Sequence, residues 1–445
     1  MGSLTLGADD SMESDRRDAL TGLVDAVQAK AKIARWLSDW PADAGACPLH
    51  AMLVAVGRIE TVNLAYGADT GDSALAEIAQ RISHFAADEF ESVPWFAARV
   101  AGSTFLLVAR ESCSRERWQW FAEALADVVS MPIVSPEVGG GTVRLWPRIA
   151  LMRTAEGDDP DRILDQLAMA LQSARQEHGR RVAWVTGKLA HVSVSNQQLE
   201  ADMLAAIDRD EIEIVFQPQF EMADDTLIGA EALARWQHPQ IGRLGANTLF
   251  TLAERTDHVA QLSRHIAERA LALAAGWPKK VKLSLNVTPA DLAAATFPIE
   301  FLSLLRRSGF PPDRLTIEIT EQVLLADLEE VTRALNPLKA AGVSIALDDF
   351  GAGYSNFRYL KILPLDILKL DRSMVEGISE DSRDLAVLRA ITAMARALNL
   401  RVVAEGVEHE EQREALAAEG VEYYQGFLRS VPLDHPAFQA LLETD

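Results

Sequence analysis

The 445-residue sequence contains only two cysteines, Cys47 and Cys113, and no long apolar run. Two cysteines are too few for a disulfide scaffold or a structural zinc site, so we expect buried free thiols in a reducing compartment. No run approaches the roughly 18–20 apolar residues of a membrane span, so direct membrane insertion is not expected. The acidic start of the chain is unlike a signal peptide, which favours a cytoplasmic location.

An excess of positive charge is also missing. Acidic residues outnumber basic ones by 65 to 43, and the net charge is −22. This balance disfavours a nucleic acid polymer as a partner, because such polymers bind cationic surfaces. It does not disfavour a small phosphate ligand, which needs only local cations or metal ions.

The apolar pattern divides the chain into four segments. Residues 1–16 form a polar tail, and residues 17–187 alternate strands and helices as in a compact α/β domain. Residues 188–200 are a polar linker, and residues 201–445 repeat a strand–helix unit. The eight candidate strands of this last segment are 212–217, 227–232, 281–287, 315–319, 343–348, 366–370, 401–405 and 421–424. Eight units predict a (β/α)8, TIM-like barrel that follows a smaller α/β domain.

Polar residues recur at the ends of these candidate strands. They are Gln217, Glu231, Asn286, Glu318 with Glu321 one turn beyond, Asp348, Asp349, Lys369, Glu405 and Gln425. Oxygen ligands without histidine or cysteine suit Mg²⁺ or Mn²⁺. Two such ions about 3.5–4 Å apart can clamp both oxygens of a phosphoryl displacement and activate a water. A nearby lysine can orient or deprotonate that water, or neutralise the phosphate.

Each of these residues taken alone has a simpler interpretation. A single acid after a strand is commonly a helix N-cap. Lys369 alone would be a strand-end salt-bridge partner, and Glu321 alone a first-turn helix acid. Such groups at the ends of all eight candidate strands are much harder to attribute to chance, which favours one shared site.

Short motifs in the second domain carry a resemblance to a known family. In chain order they are FQP (216–218), EALARW (231–236), NVT (286–288), EITE (318–321), DDFGAGYSN (348–356), LKLD (368–371), AEGVE (404–408) and QGF (425–427). Together they resemble the EAL family of cyclic di-GMP phosphodiesterases. The resemblance implies bacterial second-messenger signalling, with metal-dependent hydrolysis of cyclic di-GMP to linear pGpG and two Mg²⁺ or Mn²⁺ ions.

The resemblance also implies roles in metal binding and catalysis. The metal ligands would be Glu231, Asn286, Glu318, Asp348 and Asp349, with Asp348 as the bridge. Lys369 would hold the catalytic water, Glu405 would support the ligands or act as an acid–base partner, and Gln425 would orient that outer layer. We expect Glu231→Ala or Lys369→Ala to abolish turnover and leave folding largely intact, because both are expected at the functional face.

Substrate contacts and a dimer follow from the same resemblance. Gln217, Leu233 and Arg235 would hold the substrate, with Arg235 on a phosphate. Glu321 would brace the loop 349–355, which in the family links the metal site to a dimer interface. A homodimer through this domain is therefore expected.

Residues 17–187 resemble the GGDEF family of diguanylate cyclases in a degenerate form. The matching stretches are DALTGL (18–23), NLAYGADTGDSAL (63–75) and LAMALQSARQEHGR (167–180). Ser103 and Thr104 replace the acidic pair of the signature, and the strand VAVG (54–57) has no carboxylate. A cyclase needs acids there to hold Mg²⁺ on the triphosphate, so we expect an inactive regulatory domain.

Asn63 and Asp72 align with the pair that reads guanine in the GGDEF family. An amide and a carboxylate suit the guanine edge, so this domain is a candidate binder of GTP as an allosteric ligand. The simpler interpretation is that Asn63 is a turn residue and Asp72 a helix N-cap.

Two other functions compete with the enzyme: a non-catalytic cyclic di-GMP receptor, and a scaffold that acts through protein contacts. A receptor could lose acids or Lys369 without penalty. Every one is present in this sequence, which favours catalysis.

Overall fold

The computed structural model describes residues 17–41, 47–91, 93–134, 142–155, 157–176, 181–185, 196–321, 328–351, 359–378 and 382–444. The chain divides into two compact units, Met1–Val192 and Ser193–Asp445. The predicted tail, the linker up to residue 195 and the loop 352–355 lie outside the described residues. No helix within the described ranges combines the length and the apolar character that a membrane crossing requires.

The first unit is built on a mixed sheet. Its strands are β1 (Val24–Asp25), β2 (Leu49–Gly57), β3 (Trp95–Ala101), β4 (Thr104–Arg110), β5 (Ile133–Val134), β6 (Thr142–Val143), β7 (Trp146–Arg153) and β8 (Val182–Trp184). Its helices are α1 (Ala26–Ser38), α2 (Ile59–Tyr66), α3 (Ala68–Glu89), α4 (Arg115–Ser130) and α5 (Pro160–Gln176). The main sheet has the order β1-β3-β4-β2-β7-β8, and β5 pairs with β6.

Helices cover both faces of this sheet, which is why the central strand β2 is buried along almost its whole length. On one face, Ile33 of α1 and Leu167 of α5 pack against sheet residues such as Leu53. On the other face, α3 and α4 contribute aromatic side chains, and the rings of Trp118 and Phe121 lie 6.1 Å apart. Both cysteines are free, with Cys47 buried and Cys113 partly exposed.

The second unit continues the strand and helix order. Its strands are β9 (Ile212–Glu221), β10 (Leu227–His238), β11 (Gly242–Leu244), β12 (Lys282–Asn286), β13 (Leu315–Thr320), β14 (Ser344–Phe350), β15 (Ile367–Leu370), β16 (Arg401–Ala404) and β17 (Tyr423–Tyr424). Its helices are α6 (Asn196–Asp208), α7 (Ala246–Thr256), α8 (Val259–Ala274), α9 (Pro289–Ala293), α10 (Phe297–Ser308), α11 (Leu328–Ala340), α12 (Arg372–Glu376), α13 (Ser382–Ala397), α14 (Glu410–Ala418) and α15 (His435–Thr444).

Within the described residues, eight strands close into a barrel in the order β9-β10-β12-β13-β14-β15-β16-β17. Seven of them run parallel, from β10 to β17. The remaining strand, β9, runs antiparallel to both of its neighbours, β10 and β17. A short turn joins β9 to β10, so the barrel departs from strict strand–helix alternation at this point.

The predicted barrel strands are confirmed. The helical segment between β11 and β12 is divided into two helices, α7 and α8. Asp257 ends α7 in the left-handed conformation, with φ of 58°. A residue in that conformation terminates a helix, so the chain turns before α8 begins. Helix α6 begins at Asn196, inside the predicted linker.

Candidate active site

Polar side chains from seven positions around the barrel meet in its interior. They are Glu231 of β10, Asn286 of β12, Glu318 of β13, Asp348 of β14, Lys369 of β15, Glu405 after β16 and Gln425 after β17. Asn286 lies beside Glu318 in the register of two neighbouring parallel strands. Neighbouring parallel strands present residues at the same height, which is how positions far apart in sequence come together.

Two of the predicted strand-end positions are wrong. Glu231 lies in the middle of β10, and Gln217 lies opposite it in the middle of β9. Both strands continue beyond these residues because they pair with each other as a long hairpin, and β10 also pairs with β11. Glu231 therefore lies mid-strand, whereas Asn286, Glu405 and Gln425 lie at or just beyond the ends of their strands.

Lys369 is the centre of the cluster. Its Nζ lies 2.6 Å from Glu318 Oε2, 2.6 Å from Glu405 Oε1, 3.0 Å from Asp348 Oδ1 and 3.3 Å from Glu231 Oε2. The side chain is only 1% exposed. Lys369 is thus a salt-bridge partner, as the simpler interpretation held, but it contacts four carboxylates at once. Lys369 is thus buried among these carboxylates, and its expected role at the functional face stays a prediction.

Two amide side chains orient the carboxylates. Gln425 Nε2 donates to Glu231 Oε2 and to Glu405 Oε1, both at 2.9 Å. Asn286 Nδ2 donates to Glu231 Oε1 at 2.7 Å. Since the Asn286 NH₂ group is bound to a carboxylate, its carbonyl oxygen remains available as a ligand.

Burial perturbs the pKa values of the cluster. It raises the pKa of Glu318 to about 8, with a further contribution from the charge of Glu231. Burial, and then the charge of Asp348, raise the pKa of Glu405 well above its usual range. Burial alone would lower the pKa of Lys369, but the surrounding carboxylates prevail and raise it. Lys369 therefore stays charged among these carboxylates.

The carboxylates form two overlapping groups that could bind a metal ion. Glu231, Glu318 and Asp348 form one group, and Asp348, Asp349 and Glu405 form the other. Within each group the ligand atoms lie within 4.8 Å of one another, and Asp348 belongs to both. An all-oxygen donor set with excess negative charge fits a hard divalent cation.

Comparison with known families agrees with this site. A family model described as "EAL domain" matches residues 200–432, more than half of the chain. The chain belongs to the EAL family. A second model, described as "Diguanylate cyclase, GGDEF domain", matches residues 16–181.

Named relatives of this EAL-family chain come from Pseudomonas aeruginosa. The cyclic di-GMP phosphodiesterase NbdA is 29% identical over 88% of this chain and 50% of its own length. The bifunctional diguanylate cyclase/cyclic di-GMP phosphodiesterase MucR is 31% identical over 86% of this chain and 55% of its own length. The chain spans about half the length of the curated relatives it matches.

One solved structure is similar to the barrel of the second unit. It is described as the PaMucR phosphodiesterase in a c-di-GMP complex and is 35% identical, with a TM-score of 0.52. The match covers 54% of this chain and 99% of that chain. The second unit therefore contains the whole EAL domain seen in that structure.

The predicted substrate residues of the EAL unit lie along the β9–β10 hairpin. Gln217 Nε2 donates to the backbone oxygen of Ser430 at 2.9 Å. Leu233 and Asn286 together line one cavity, whose volume is about 590 Å³. Arg235 is 3% exposed, and its Nη1 donates to the backbone oxygen of Ala234 at 2.8 Å. Their contacts with a substrate remain predictions.

Glu321 lies outside the cluster, just after β13. Its Oε1 accepts a hydrogen bond from the hydroxyl of Tyr359 at 2.8 Å. Glu321 therefore ties the end of β13 to Tyr359, the first residue of the described range 359–378. Residues 352–355 of the loop 349–355 lie outside the described residues, so the expected bracing of this loop by Glu321 stays a prediction.

The first unit presents a different environment at the positions predicted for nucleotide binding. Asn63 lies within α2, and Asp72 lies within α3, which begins at Ala68 after Gly67 as N-cap. The simpler interpretation of a turn residue and an N-cap is therefore wrong for both. Both side chains are exposed. A Cβ added to Gly71 would lie 1.7 Å from Asn63 Oδ1, so the Asn63 amide rests directly on the glycine.

Two residues of the EAL site were missed by the sequence analysis, Tyr359 and Gln219. Gln219 Nε2 donates to Gln425 Oε1 at 3.0 Å in a buried position. A signal for Gln219 existed, because residues two apart on a strand share a face and Gln217 had already been selected. Tyr359 had no comparable signal, since its partner is 38 residues away.

Proposed function

We propose that the EAL unit hydrolyses cyclic di-GMP to linear pGpG in a metal-dependent reaction. The observation that carries the proposal is the buried cluster in which Lys369 contacts four carboxylates. Burying so many charged groups costs stability, and such clusters are typical of catalytic sites. A receptor needs no such arrangement. The relatives NbdA and MucR, which are named as cyclic di-GMP phosphodiesterases, support the same substrate and reaction.

The proposed cofactors are two divalent cations, Mg²⁺ or Mn²⁺. Glu231, Asn286, Glu318, Asp348 and Asp349 would hold them, with Asp348 shared because it belongs to both carboxylate groups. Bound there, the cations would polarise the phosphate and lower the pKa of a water. Asp349 has a left-handed backbone, with φ of 55°, and its N–H donates to Asp348 Oδ1 at 3.0 Å. This hydrogen bond fixes the shared carboxylate.

The remaining roles belong to Lys369, Glu405 and Gln425. In the proposed reaction a water oxygen bonds to phosphorus, the P–O3′ bond breaks, and the leaving 3′ oxygen takes up a proton. Lys369 Nζ orients the water and stabilises charge on the phosphate. Glu405 accepts the water proton and returns it to the leaving 3′ oxygen, and Gln425 holds Glu405 in place. Gln217, Leu233 and Arg235 are the proposed substrate contacts, and Glu321 steadies the neighbouring loop through Tyr359.

The test is chromatography of cyclic di-GMP incubated with the protein and Mg²⁺, with and without EDTA. We expect linear pGpG with metal and unchanged substrate with EDTA. If cyclic di-GMP binds but stays intact with Mg²⁺ and with Mn²⁺, the receptor function replaces the enzyme. If it neither binds nor reacts, the scaffold function is favoured.

We propose that the GGDEF-like unit is an inactive cyclase that regulates the EAL unit and binds GTP through Asn63 and Asp72. The support is chemical. Val54 and Ala55 are buried apolar residues, so the strand offers no carboxylate for Mg²⁺.

We also propose a homodimer through the EAL unit. Light scattering of the purified chain tests it, and a monomer at all concentrations would refute it.

A further inference from the structure

Gln219 lies behind the charged cluster, where its side chain is hydrogen-bonded to Gln425. It is 8% exposed and sits on β9, two residues beyond Gln217. Its Nε2 donates to Gln425 Oε1 at 3.0 Å. Gln425 in turn donates to Glu231 and Glu405. The chain of contacts therefore runs from β9 through one amide to two carboxylates of the site.

The chemistry of the groups determines which atoms of Gln219 and Gln425 donate and which accept along this chain of hydrogen bonds. The Glu231 carboxylate accepts hydrogen bonds from Lys369 and Asn286, so the Gln425 group that faces it must be the NH₂ group. The Gln425 carbonyl oxygen then faces Gln219, which must supply a donor. An amide flipped by 180° would place its oxygen against the carboxylates and lose both contacts. The Gln219 NH₂ group opposes that flip.

The barrel leaves room for this side chain at Gly229. Gly229 lies opposite Gln219 in the β9–β10 register. A Cβ added to Gly229 would lie 3.2 Å from Gln219 Oε1 and 3.0 Å from the backbone oxygen of Lys282. A larger residue would crowd the Gln219 amide, so the bare glycine keeps this chain of hydrogen bonds intact.

We propose that Gln219 is a positioning residue, which fixes the Gln425 amide and through it the carboxylates of Glu231 and Glu405. The proposal rests on the proposed metal-dependent function. Hydrogen-bond partners of metal ligands commonly affect metal affinity or activity by about 10–100-fold. Gln219 acts one bond further away, so the lower end of that range is expected.

The experiment uses two substitutions in the full chain. Gln219→Met removes the donor at similar size, and we expect Mn²⁺ affinity, measured by calorimetry, to fall by about 10-fold. Gln219→Glu keeps the shape but places an acceptor against Gln425 Oε1, so kcat should fall further than in Gln219→Met while KM changes little. A packing role predicts the opposite order, because glutamate resembles glutamine more than methionine does.

Gln412→Met is the matched control. Gln412 is a buried amide of the same unit that caps α14 and accepts from the backbone of Glu408 and His409. We expect it to lose stability but to keep the Mn²⁺ affinity of the parent. The rise in Tm on adding Mn²⁺, taken from each variant's own metal-free Tm, separates affinity from stability. If Gln219→Met does not fold, Gln219→Glu is compared with the parent in the same way.

The outcomes separate this inference from the proposed function. If the parent binds Mn²⁺ and hydrolyses cyclic di-GMP but the Gln219 variants match it, the role of Gln219 is refuted and the function stands. If the parent neither binds Mn²⁺ nor hydrolyses the dinucleotide, the function is wrong and the inference fails with it.

Discussion

The two units differ most at the strands where a phosphate-handling site is expected. In the EAL unit, β14 carries Asp348 and Asp349, and the neighbouring strands add further buried charge. In the GGDEF-like unit, Val54, Ala55 and Val56 of β2 are buried among other apolar side chains. Buried charge is costly unless it is paired or binds an ion. The EAL unit therefore buries a cluster of charged side chains, whereas β2 of the GGDEF-like unit contributes apolar side chains to the core.

The largest expected effect is the loss of turnover when a cluster carboxylate is removed. Glu231→Gln keeps the size of the side chain but removes a charge that Lys369, Asn286 and Gln425 all contact. Metal and phosphate stabilisation is worth several kcal/mol, so we expect kcat to fall by about 10³-fold. Chromatography of cyclic di-GMP under saturating Mg²⁺ measures it.

The control for this prediction is Glu221→Gln, an exposed glutamate on the same hairpin. It should keep the parent kcat. Equal activity of Glu231→Gln and the parent would mean that the cluster is not catalytic, and the contrast between the two units would lose its functional meaning.

The second effect concerns stability and again separates the units. Lys369→Met leaves the buried carboxylates around it without a counter-charge. Removing one partner of a buried ion pair costs about 3–5 kcal/mol, so the EAL unit should unfold at lower temperature in EDTA. Mn²⁺ should restore part of the loss, because bound metal supplies the missing positive charge.

Calorimetry of the full chain in EDTA and in Mn²⁺ measures this effect. Hydrogen exchange in β2 and β4 of the GGDEF-like unit serves as the internal control and should stay unchanged. A variant as stable as the parent in EDTA would show that the carboxylates take up protons and need no lysine.

Much of the EAL site was predictable because the barrel repeats one pattern. Apolar strands and the polar residues near their ends identified the eight strands and brought Glu318, Asp348 and Lys369 to one place. The direction of β9 was not predictable, since alternation of apolar residues is the same in parallel and antiparallel strands. That direction decides that Glu231 and Gln217 lie mid-strand.

Burial depth was the other feature that the sequence did not carry. A lysine on a strand end is ordinarily expected to reach solvent, and Lys369 does not. Its environment depends on Glu231 and Glu405, which lie on other strands, so only the closed barrel determines it. The Tyr359–Glu321 contact was missed for the same reason.

The third effect is a pH dependence of the GGDEF-like unit. Burial, and then the charge of Arg153, lower the pKa of His50 to about 4, against about 6.5 in an unfolded chain. Between these values the unfolded state binds a proton that the folded state does not. Stability is therefore full above about pH 6.5 and falls as the pH drops, by up to about 3 kcal/mol near pH 4.

Hydrogen exchange in β2, followed from pH 7 to pH 4 and corrected for intrinsic rates, measures this change. His50→Gln removes the titrating group and should reduce the slope of stability against pH. An identical slope in both proteins would assign the pH dependence to other groups and leave His50 without a part in it.

The smallest effect tests the proposed recognition of a guanine base by the GGDEF-like unit. Asp72→Ala removes the carboxylate proposed to accept from the guanine edge. A hydrogen bond to a charged group is worth about 1.5–3 kcal/mol, so we expect GTP affinity to fall by about 10-fold or more. Calorimetry with GTP measures it, and no heat of binding to the parent protein would end the nucleotide proposal.

Gly71→Ala tests the same site without changing either proposed contact. The new Cβ would collide with Asn63 Oδ1, and because the amide is the end of a flexible, exposed side chain, it can move away at little cost to folding. We expect weaker GTP binding with an unchanged Tm. Parent-like affinity in this variant, alongside a loss in Asp72→Ala, would assign recognition to the carboxylate alone and remove Asn63 from the site.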